Sequence, residues 1–266
     1  MKEYFETNRK AWDLRLEVHK TSKMYDLESF KKGRNSLTEI ELNALAGQVK
    51  GKTLLHLQCH FGQDSLSWAR MGARVTGVDL SPKSIALARE INEELGLDAI
   101  FVESNILDLQ DNLDGKFDLV FTSFGVTSWL PDLEKWATVI DHFLQPGGIF
   151  FIAEFHPVLY MFDFPTQKIA FDYFDGGNAI MEEVTGTYTD RDANIRFKEY
   201  FWTHSLHETM NPLVKRGLVV QEFIEYPYSP FNCFENMHEV EKGKFKFSDL
   251  QTSIPHVFSL KMQKPF

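Results

Sequence analysis

The residue with the clearest chemical meaning is Asp79, which ends the apolar segment ARVTGVD. It lies roughly twenty residues beyond the turn QCHFG, where nucleotide-binding βαβ units place an acid that accepts hydrogen bonds from ribose hydroxyls. Alternatively, Asp79 only serves the following helix, whose N-terminal dipole favours a nearby negative charge. Because Ser81 already supplies an N-cap for that helix, we favour the ribose-binding role.

The turn from Gln58 to Gly62 argues against a dinucleotide ligand. A diphosphate bound at a helix N-terminus needs backbone amides freed by several glycines, and this turn has only Gly62. The bulk of His60 and Phe61 leaves little room for phosphates. The turn therefore predicts a ligand with adenosine but no diphosphate, which disfavours an NAD-dependent oxidoreductase.

Further candidate ligand-binding residues follow the next two predicted strands. Asn105 and Ile106 come after AIFVE, and Ser123 and Phe124 come after FDLVFT. Ligands of open parallel sheets bind beyond the carboxyl ends of the strands, so these residues are expected near Asp79. The amide of Asn105 can bond an adenine edge.

His156, which follows the segment IFFIAE, is the candidate general base. An imidazole that titrates near neutral pH can accept a proton from a reacting group. The alternative is a histidine that holds the turn before Pro157. A metal site built from Glu154, His156, His204 and His207 is a weaker alternative, and we predict no metal.

The elements that must position these residues alternate between strands and helices from residue 53 to 154. The segments TLLHL, ARVTGVD, AIFVE, FDLVFT and IFFIAE are predicted strands, separated by helical segments with N-cap and stop signals. This alternation predicts right-handed βαβ units and a parallel sheet covered on both faces. LVVQEFIEY and HVFSLKMQ are two further predicted strands.

The rest of the chain is expected to cover this sheet. Residues 1–50 are predicted to form an N-terminal helical cover, with a capping box at Ser36 and Glu39. Residues 51–266 form the main domain, interrupted by aromatic-rich insertions at about 155–203 and 227–254. These insertions are predicted to form a lid that excludes water from an organic substrate, or else a small satellite core or a dimer contact.

The charge and cysteine content of the chain limit the classes of partner that we expect for it. The net charge of the 266 residues is −10 and no basic block is present, which argues against nucleic acid. Cys59 and Cys233 have neither zinc nor CxxC spacing and are predicted to be reduced thiols. No secretory signal or membrane-spanning run is found, so we expect a cytoplasmic protein that acts on a small molecule and has no membrane partner, with a homodimer as one candidate assembly.

Three segments together resemble class I S-adenosylmethionine-dependent methyltransferases of a bacterial small-molecule type. They are LLHLQCHFGQDSLSWARMGARVTGVDLS, FVESNILDL, and FDLVFTSFGVTSWLPDLEKWATVIDHFLQPGGIFFIAEFHPV. The resemblance implies a doubly wound Rossmann-like α/β fold, with a seven-stranded, mainly parallel sheet whose last strand is antiparallel. It also implies S-adenosylmethionine as cofactor and methyl transfer to a small organic molecule. A non-catalytic adenosine-ligand-binding protein on the same fold is the alternative.

The resemblance further assigns cofactor-binding roles. It implies that His60 and Gly62 line the methionine end of the cofactor and that Asp79 binds the ribose. Leu80, Asn105 and Ile106 would hold the adenine, and Ser123 and Phe124 would lie below the sulfonium. In the N-terminal segment, Trp12 would close over the cofactor together with Tyr4 and Tyr25, and Arg34 would reach a carboxylate there. The sequence departs from the family pattern at four positions, where the family commonly has Asp, Gly, Gly and Asp; these are His56, Gln58, His60 and Asn105.

Overall fold

The computed structural model describes residues 2–174, 177–248, 250 and 252–266. The helices are α1 (Lys2–His19), α2 (Leu27–Lys31), α3 (Glu39–Leu45), α4 (Gln63–Arg70), α5 (Pro82–Glu94), α6 (Leu133–Phe143) and α7 (Leu206–Lys215). The strands are β1 (Thr53–Leu57), β2 (Arg74–Asp79), β3 (Ile100–Glu103), β4 (Phe117–Ser123), β5 (Leu144–Phe155), β6 (Phe162–Asp163), β7 (Lys168–Ile169), β8 (Ile180–Thr185), β9 (Arg196–Phe201), β10 (Val219–Tyr226), β11 (Met237–Glu241), β12 (Lys244–Phe247) and β13 (Val257–Gln263).

Seven of these strands form one sheet in the order β10-β13-β5-β4-β1-β2-β3. The pairs β1–β2, β2–β3, β1–β4 and β4–β5 are parallel. The last strand, β13, is antiparallel to both of its neighbours, β5 and β10. The predicted fold class, a doubly wound Rossmann-like sheet with an antiparallel last strand, is confirmed.

The central strands are buried because helices cover both faces of the sheet. Leu54 and Leu55 of β1 have no exposed surface, although their side chains point to opposite faces. The core on one face contains α6, whose Trp136 and Ile140 are fully buried. The core on the other face contains Trp68 of α4. This burial on both faces explains the continuous apolar runs that made the strands recognisable.

The prediction of a capping box at Ser36 and Glu39 was wrong, because the capping box of α3 is formed by Thr38 and Glu41. Thr38 caps α3: its hydroxyl accepts from the Ile40 amide at 3.2 Å, and Glu41 accepts from the Thr38 amide at 3.1 Å. Ser36 instead packs against α4, where its hydroxyl lies 2.9 Å from that of Ser67. A tertiary contact thus removes Ser36 from the cap that its spacing suggested.

The division into a cover at 1–50 and a main domain at 51–266 remains a prediction. Helices α1 to α3 fall within the first range, and the hairpins β6–β7, β8–β9 and β11–β12 fall within the predicted insertions. Residues 1, 175–176, 249 and 251 of those ranges lie outside the described residues. Among the helices that the structure describes, none is both long and apolar enough to cross a membrane.

Candidate active site

A cavity of about 760 Å³ lies at the carboxyl ends of β1 to β4. This is the edge of the sheet at which β1, flanked by β4 and β2, marks the reversal of strand order. All nine residues predicted to bind the cofactor line the cavity, namely Trp12, His60, Gly62, Asp79, Leu80, Asn105, Ile106, Ser123 and Phe124. The structure brings these residues together; whether they bind the cofactor remains a proposal.

The turn after β1 is shaped by residues with left-handed backbone conformations. Gln58, His60 and Gly62 have φ values of 57°, 50° and 80°. A Cβ atom at Gly62 would come within 2.7 Å of the Phe101 ring. Gly62 is therefore required both by its backbone angle and by the close packing of β3, and these reasons hold without any ligand.

The imidazole of His60 is occupied by protein contacts. Its Nε2 lies 3.0 Å from Nδ1 of His19, and its Nδ1 lies 3.1 Å from the Ser84 hydroxyl. Burial lowers the pKa of His60 to about 3 and that of His19 to about 2, so both rings are neutral at physiological pH. His60 thus forms a wall of the cavity, with neither nitrogen left free for a ligand.

The carboxylate of Asp79 is held in place by two backbone amides. Oδ2 accepts from the amide of His60 and Oδ1 from that of Ser81, each at 2.8 Å. Burial nevertheless raises the pKa of Asp79 to about 6. Each carboxylate oxygen retains a further acceptor position, so the group can still accept two hydroxyls.

The side chain of Asn105 caps the 3₁₀ turn that follows β3. Its Oδ1 accepts from the Leu107 amide at 3.1 Å, and its Nδ2 donates to Asp108 at 3.2 Å. Ile106 beside it is buried and Leu80 is partly buried. The two apolar side chains provide surfaces on which a flat ring can stack, while most of the bonding capacity of the Asn105 amide is used locally.

Glu154, at the end of β5, organises the loop that follows β4. Its carboxylate accepts from the amides of Val126 and Thr127 at 2.7 and 2.9 Å, and also from the amide of Gly125. The side chain is 3% exposed. Burial raises the pKa of Glu154, and these backbone hydrogen bonds oppose the rise. From the sequence, Glu154 was expected only as a metal ligand; its position as an acid at the end of a buried strand was the signal for this role.

His156 is not among the described residues that line the cavity. Its Nδ1 accepts from the Val158 amide at 3.2 Å, and its Nε2 lies 3.0 Å from Glu225 without hydrogen-bond alignment. Burial lowers its pKa, although Glu225 opposes this. These contacts match the alternative role of holding the turn before Pro157, and the geometry does not support His156 as a base.

The metal alternative is also without geometric support. His204 bonds the carbonyl of Leu130 at 2.8 Å, and His207 bonds the hydroxyl of Ser205 at the same distance. Across the described residues, no group of three or more His, Cys, Asp or Glu side chains is placed to hold a metal ion.

Helix α1 and the β8–β9 hairpin meet across the cavity. Asn8 exchanges two hydrogen bonds with the backbone of Tyr200, at 2.7 and 2.8 Å. Arg15 forms an ion pair with Glu199, and both side chains are almost completely buried. The guanidinium also lies 4.4 Å from the ring centre of Phe197. Sequence reasoning missed this pairing because each partner is an ordinary residue of an amphipathic element.

Aromatic residues of the two insertions form the remaining wall. The Phe231 ring lies 5.0 Å from Phe124, and the Phe234 ring lies 4.9 Å from Phe155 and 4.8 Å from Phe164. All five line the cavity. The same rings thus line the cavity and pack against one of the main cores, and their role as a lid remains a prediction.

The known proteins to which this chain is similar include methyltransferases. Residues 55–152 match the family described as "Methyltransferase domain". A ubiquinone biosynthesis O-methyltransferase from Xanthomonas axonopodis pv. citri is 28% identical over 134 residues, which cover 50% of this chain and 56% of that protein. The enzyme of the same name from Pseudomonas paraeruginosa is 26% identical, with 72% of this chain and 83% of that one covered. The chain thus spans little more than half of the first of these relatives.

A crystal structure of an S-adenosylmethionine-dependent methyltransferase from Clostridium acetobutylicum shares the fold. Its TM-score is 0.57 at 16% identity, with 85% of this chain and 89% of that chain covered. Residues 55–152 thus match a methyltransferase domain, and the chain has the fold of a solved S-adenosylmethionine-dependent methyltransferase.

Proposed function

We propose that this chain transfers the methyl group of S-adenosylmethionine to a small, largely apolar organic molecule. The observation that carries the proposal is a single cavity with two different ends. One end has Asp79 and the turn after β1, and the other is lined by aromatic side chains of the insertions. Mostly apolar walls with a few placed polar groups are typical of small-molecule sites.

The cavity residues suit the cofactor. Asp79 would accept the ribose hydroxyls, while Leu80 and Ile106 would pack on the adenine. Arg34, whose guanidinium donates to the Tyr25 carbonyl and lines the cavity, would face the methionine carboxylate. S-adenosylmethionine supplies an activated methyl group, so the protein has to align the acceptor and exclude water.

The acceptor would lie against the aromatic end of the cavity. Phe124 and Phe155 end β4 and β5 there, and Phe231 and Phe234 face them. The named activity of the curated relatives makes a hydroxyl oxygen the first accepting atom to test. Because His156 is not among the described residues that line the cavity, we do not assign proton removal to it.

Isothermal titration of the chain with S-adenosylmethionine, S-adenosylhomocysteine and NAD tests the cofactor. Incubation with S-[methyl-¹³C]adenosylmethionine and pooled small-molecule extracts, read by mass spectrometry, tests the transfer. We expect binding of the first two ligands and a labelled product. Binding without a labelled product from any pool would favour the non-catalytic alternative.

Other features of the whole protein remain proposals. We propose action in the cytoplasm without a nucleic-acid partner, and a homodimer as the state to test by sedimentation. The negative net charge of −10 supports the absence of a polyanionic partner.

A further inference from the structure

Two acidic residues lie directly opposite each other on the β8–β9 hairpin, and both line the cavity. Glu182 of β8 is the register partner of Glu199 of β9. The side chains of directly opposite residues on antiparallel strands lie close together on one face, where like charges destabilise the hairpin. Hairpin stability alone therefore does not account for an acid at position 182.

The two acids differ in their partners. Glu199 has its ion pair with Arg15. Among the residues that the structure describes, the Glu182 carboxylate has neither a Lys, Arg or His nitrogen within 4.0 Å nor a hydrogen-bond donor. The next residue, Glu183, lies opposite Lys198 and pairs with it at 3.4 Å. Of these two neighbouring acids on β8, the one that lines the cavity is thus the one without a partner.

Arg15 has unused hydrogen-bond donors beside this acidic pair. The residue is 5% exposed and lines the cavity, yet its Nε and Nη1 have no hydrogen-bond partner within the described part of the chain. A buried donor without a partner costs free energy, which a bound oxygen atom would recover. An unused acceptor on Glu182 and unused donors on Arg15 together suit a hydroxyl group, which both donates and accepts. An ammonium only donates and a carboxylate only accepts, so neither would use both.

These polar residues lie between the two ends of the cavity. The ring centre of Trp12 lies 5.0 Å from the guanidinium carbon of Arg15 and 5.2 Å from the ring centre of His60. One indole thus separates Arg15 from the turn after β1. Phe201, two residues beyond Glu199 on β9, lines the cavity with the other aromatic residues of the insertions. An accepting oxygen belongs at such a boundary, because it joins the body of the acceptor to the incoming methyl group.

We propose that Glu182 is the general base that takes the proton of the acceptor's hydroxyl group during methyl transfer, while Arg15 donates a hydrogen bond to the same oxygen. The O–H bond breaks and its proton passes to the Glu182 carboxylate. The electron pair of the oxygen bonds the methyl carbon, and the C–S bond breaks with its electrons remaining on sulfur. Because Glu182 is exposed, its carboxyl can return the proton to water after each turnover. This proposal rests on the proposed function and adds the chemical class of the acceptor.

The electrostatic surroundings of Glu182 suit proton transfer. Burial and the charge of Glu199 raise the pKa of Glu182, which brings it closer to the pH at which a base is most effective. Charged neighbours are Glu199 on β9 and, bonded to Glu199, Arg15 on α1. Glu199→Gln removes the like charge and should therefore lower the pKa of Glu182.

The rate of label transfer at a series of pH values tests the proposal. The probes are saturating S-[methyl-¹³C]adenosylmethionine and the pooled small-molecule extract at several dilutions, which separate the limiting rate from the apparent KM. At neutral pH, Glu182→Gln should lower the limiting rate about hundredfold or more, with the apparent KM and the calorimetric S-adenosylhomocysteine affinity unchanged. Its rate should then keep rising toward pH values at which the acceptor ionises without a base.

Glu183→Gln is the matched control, because Glu183 is the adjacent acid and is not among the described residues that line the cavity. Its rates should equal those of the unaltered chain. Glu199→Gln should move the acidic limb of the rate profile to lower pH. Thermal unfolding without ligand shows which variants are folded, and Glu182→Ala repeats the test should Glu182→Gln fold poorly.

Three outcomes would overturn the assignment. The first is an unchanged limiting rate in a folded Glu182 variant. The second is a raised apparent KM with a normal limiting rate, which would make Glu182 a binding group for a cationic part of the acceptor. The third is a lowered rate whose pH profile keeps the shape found for the unaltered chain, which would mean a structural role. If the unaltered chain labelled no product, the proposed function would fail, and this assignment with it.

Discussion

The backbone amide of His60 donates a 2.8 Å hydrogen bond to Oδ2 of Asp79. This bond joins the turn after β1 to the end of β2, so the candidate ribose-binding acid and the cavity wall have one fixed geometry. The left-handed conformation of His60, with φ of 50°, directs the amide to the carboxylate. The turn thus holds the carboxylate of Asp79 in place without the several glycines that a diphosphate-binding loop needs.

Asp79→Asn should weaken S-adenosylhomocysteine about tenfold or more, equivalent to about 1.4 kcal/mol. The amide offers one acceptor instead of two, and its NH₂ group would face a backbone N–H donor. Calorimetry measures the change, with the exposed Asp111→Asn as control. Unaltered affinity in Asp79→Asn would show that the ribose assignment is wrong.

Cofactor affinity should fall as the pH is lowered through about 6. Burial raises the pKa of Asp79 from 3.8 to about 6, so its carboxyl takes up a proton below that pH in the ligand-free chain. A ligand that requires the carboxylate must then displace the proton, and its affinity falls toward tenfold per pH unit below the pKa. Titrations from pH 5 to 8 should show this slope, and Asp79→Asn should reduce it. An equally steep slope in Asp79→Asn would assign the proton to another group.

Glu154→Gln should destabilise the fold by about 2 kcal/mol or more, because hydrogen bonds to a charged acceptor are strong and the new amide would oppose the loop amides. Urea unfolding measures the loss. Glu134→Gln is the control: this exposed residue pairs with Lys215 on the surface, where an ion pair contributes at most about 1 kcal/mol. Equal stability of the two variants would contradict the role given to Glu154.

The ion pair between Arg15 and Glu199 should behave as a coupled unit. Arg15→Leu alone leaves a buried carboxylate without its cation and should cost about 3–5 kcal/mol of stability. The double variant Arg15→Leu, Glu199→Leu should recover much of that loss, since neither charge remains. A double-mutant cycle by chemical unfolding measures the coupling. Additive losses would mean that the two residues act separately.

His156→Asn should leave S-adenosylhomocysteine affinity and methyl transfer close to those of the unaltered chain. The amide oxygen can still accept from the Val158 amide, and His156 is not among the described residues that line the cavity. Calorimetry and the labelled-product assay measure the two properties. A loss of transfer of about a hundredfold with normal cofactor binding would return His156 to the role of base.

The alternation of strands and helices could be read from the sequence because apolar runs and helix caps are local signals. The candidate role of Asp79 could also be predicted from the sequence, because the position of this residue depends on one strand and one turn. The role of Glu154 could not be predicted, because its partners are backbone amides near residue 126. Ser36 was misassigned as a cap for the same reason: its partner, Ser67, is distant in the sequence.

The contact between Arg15 and Glu199 spans 184 residues of chain. Helix α1 is synthesised before β9, and its docking surface on β9 is complete only when residue 201 has been added. Contacts between such distant segments carry a large loop-closure entropy and form late in folding. The nascent polypeptide should therefore assemble β1 to β5 on the ribosome while α1 is still undocked. Because residues of α1 line the cavity, we expect cofactor retention to be one of the last properties that the newly made protein acquires.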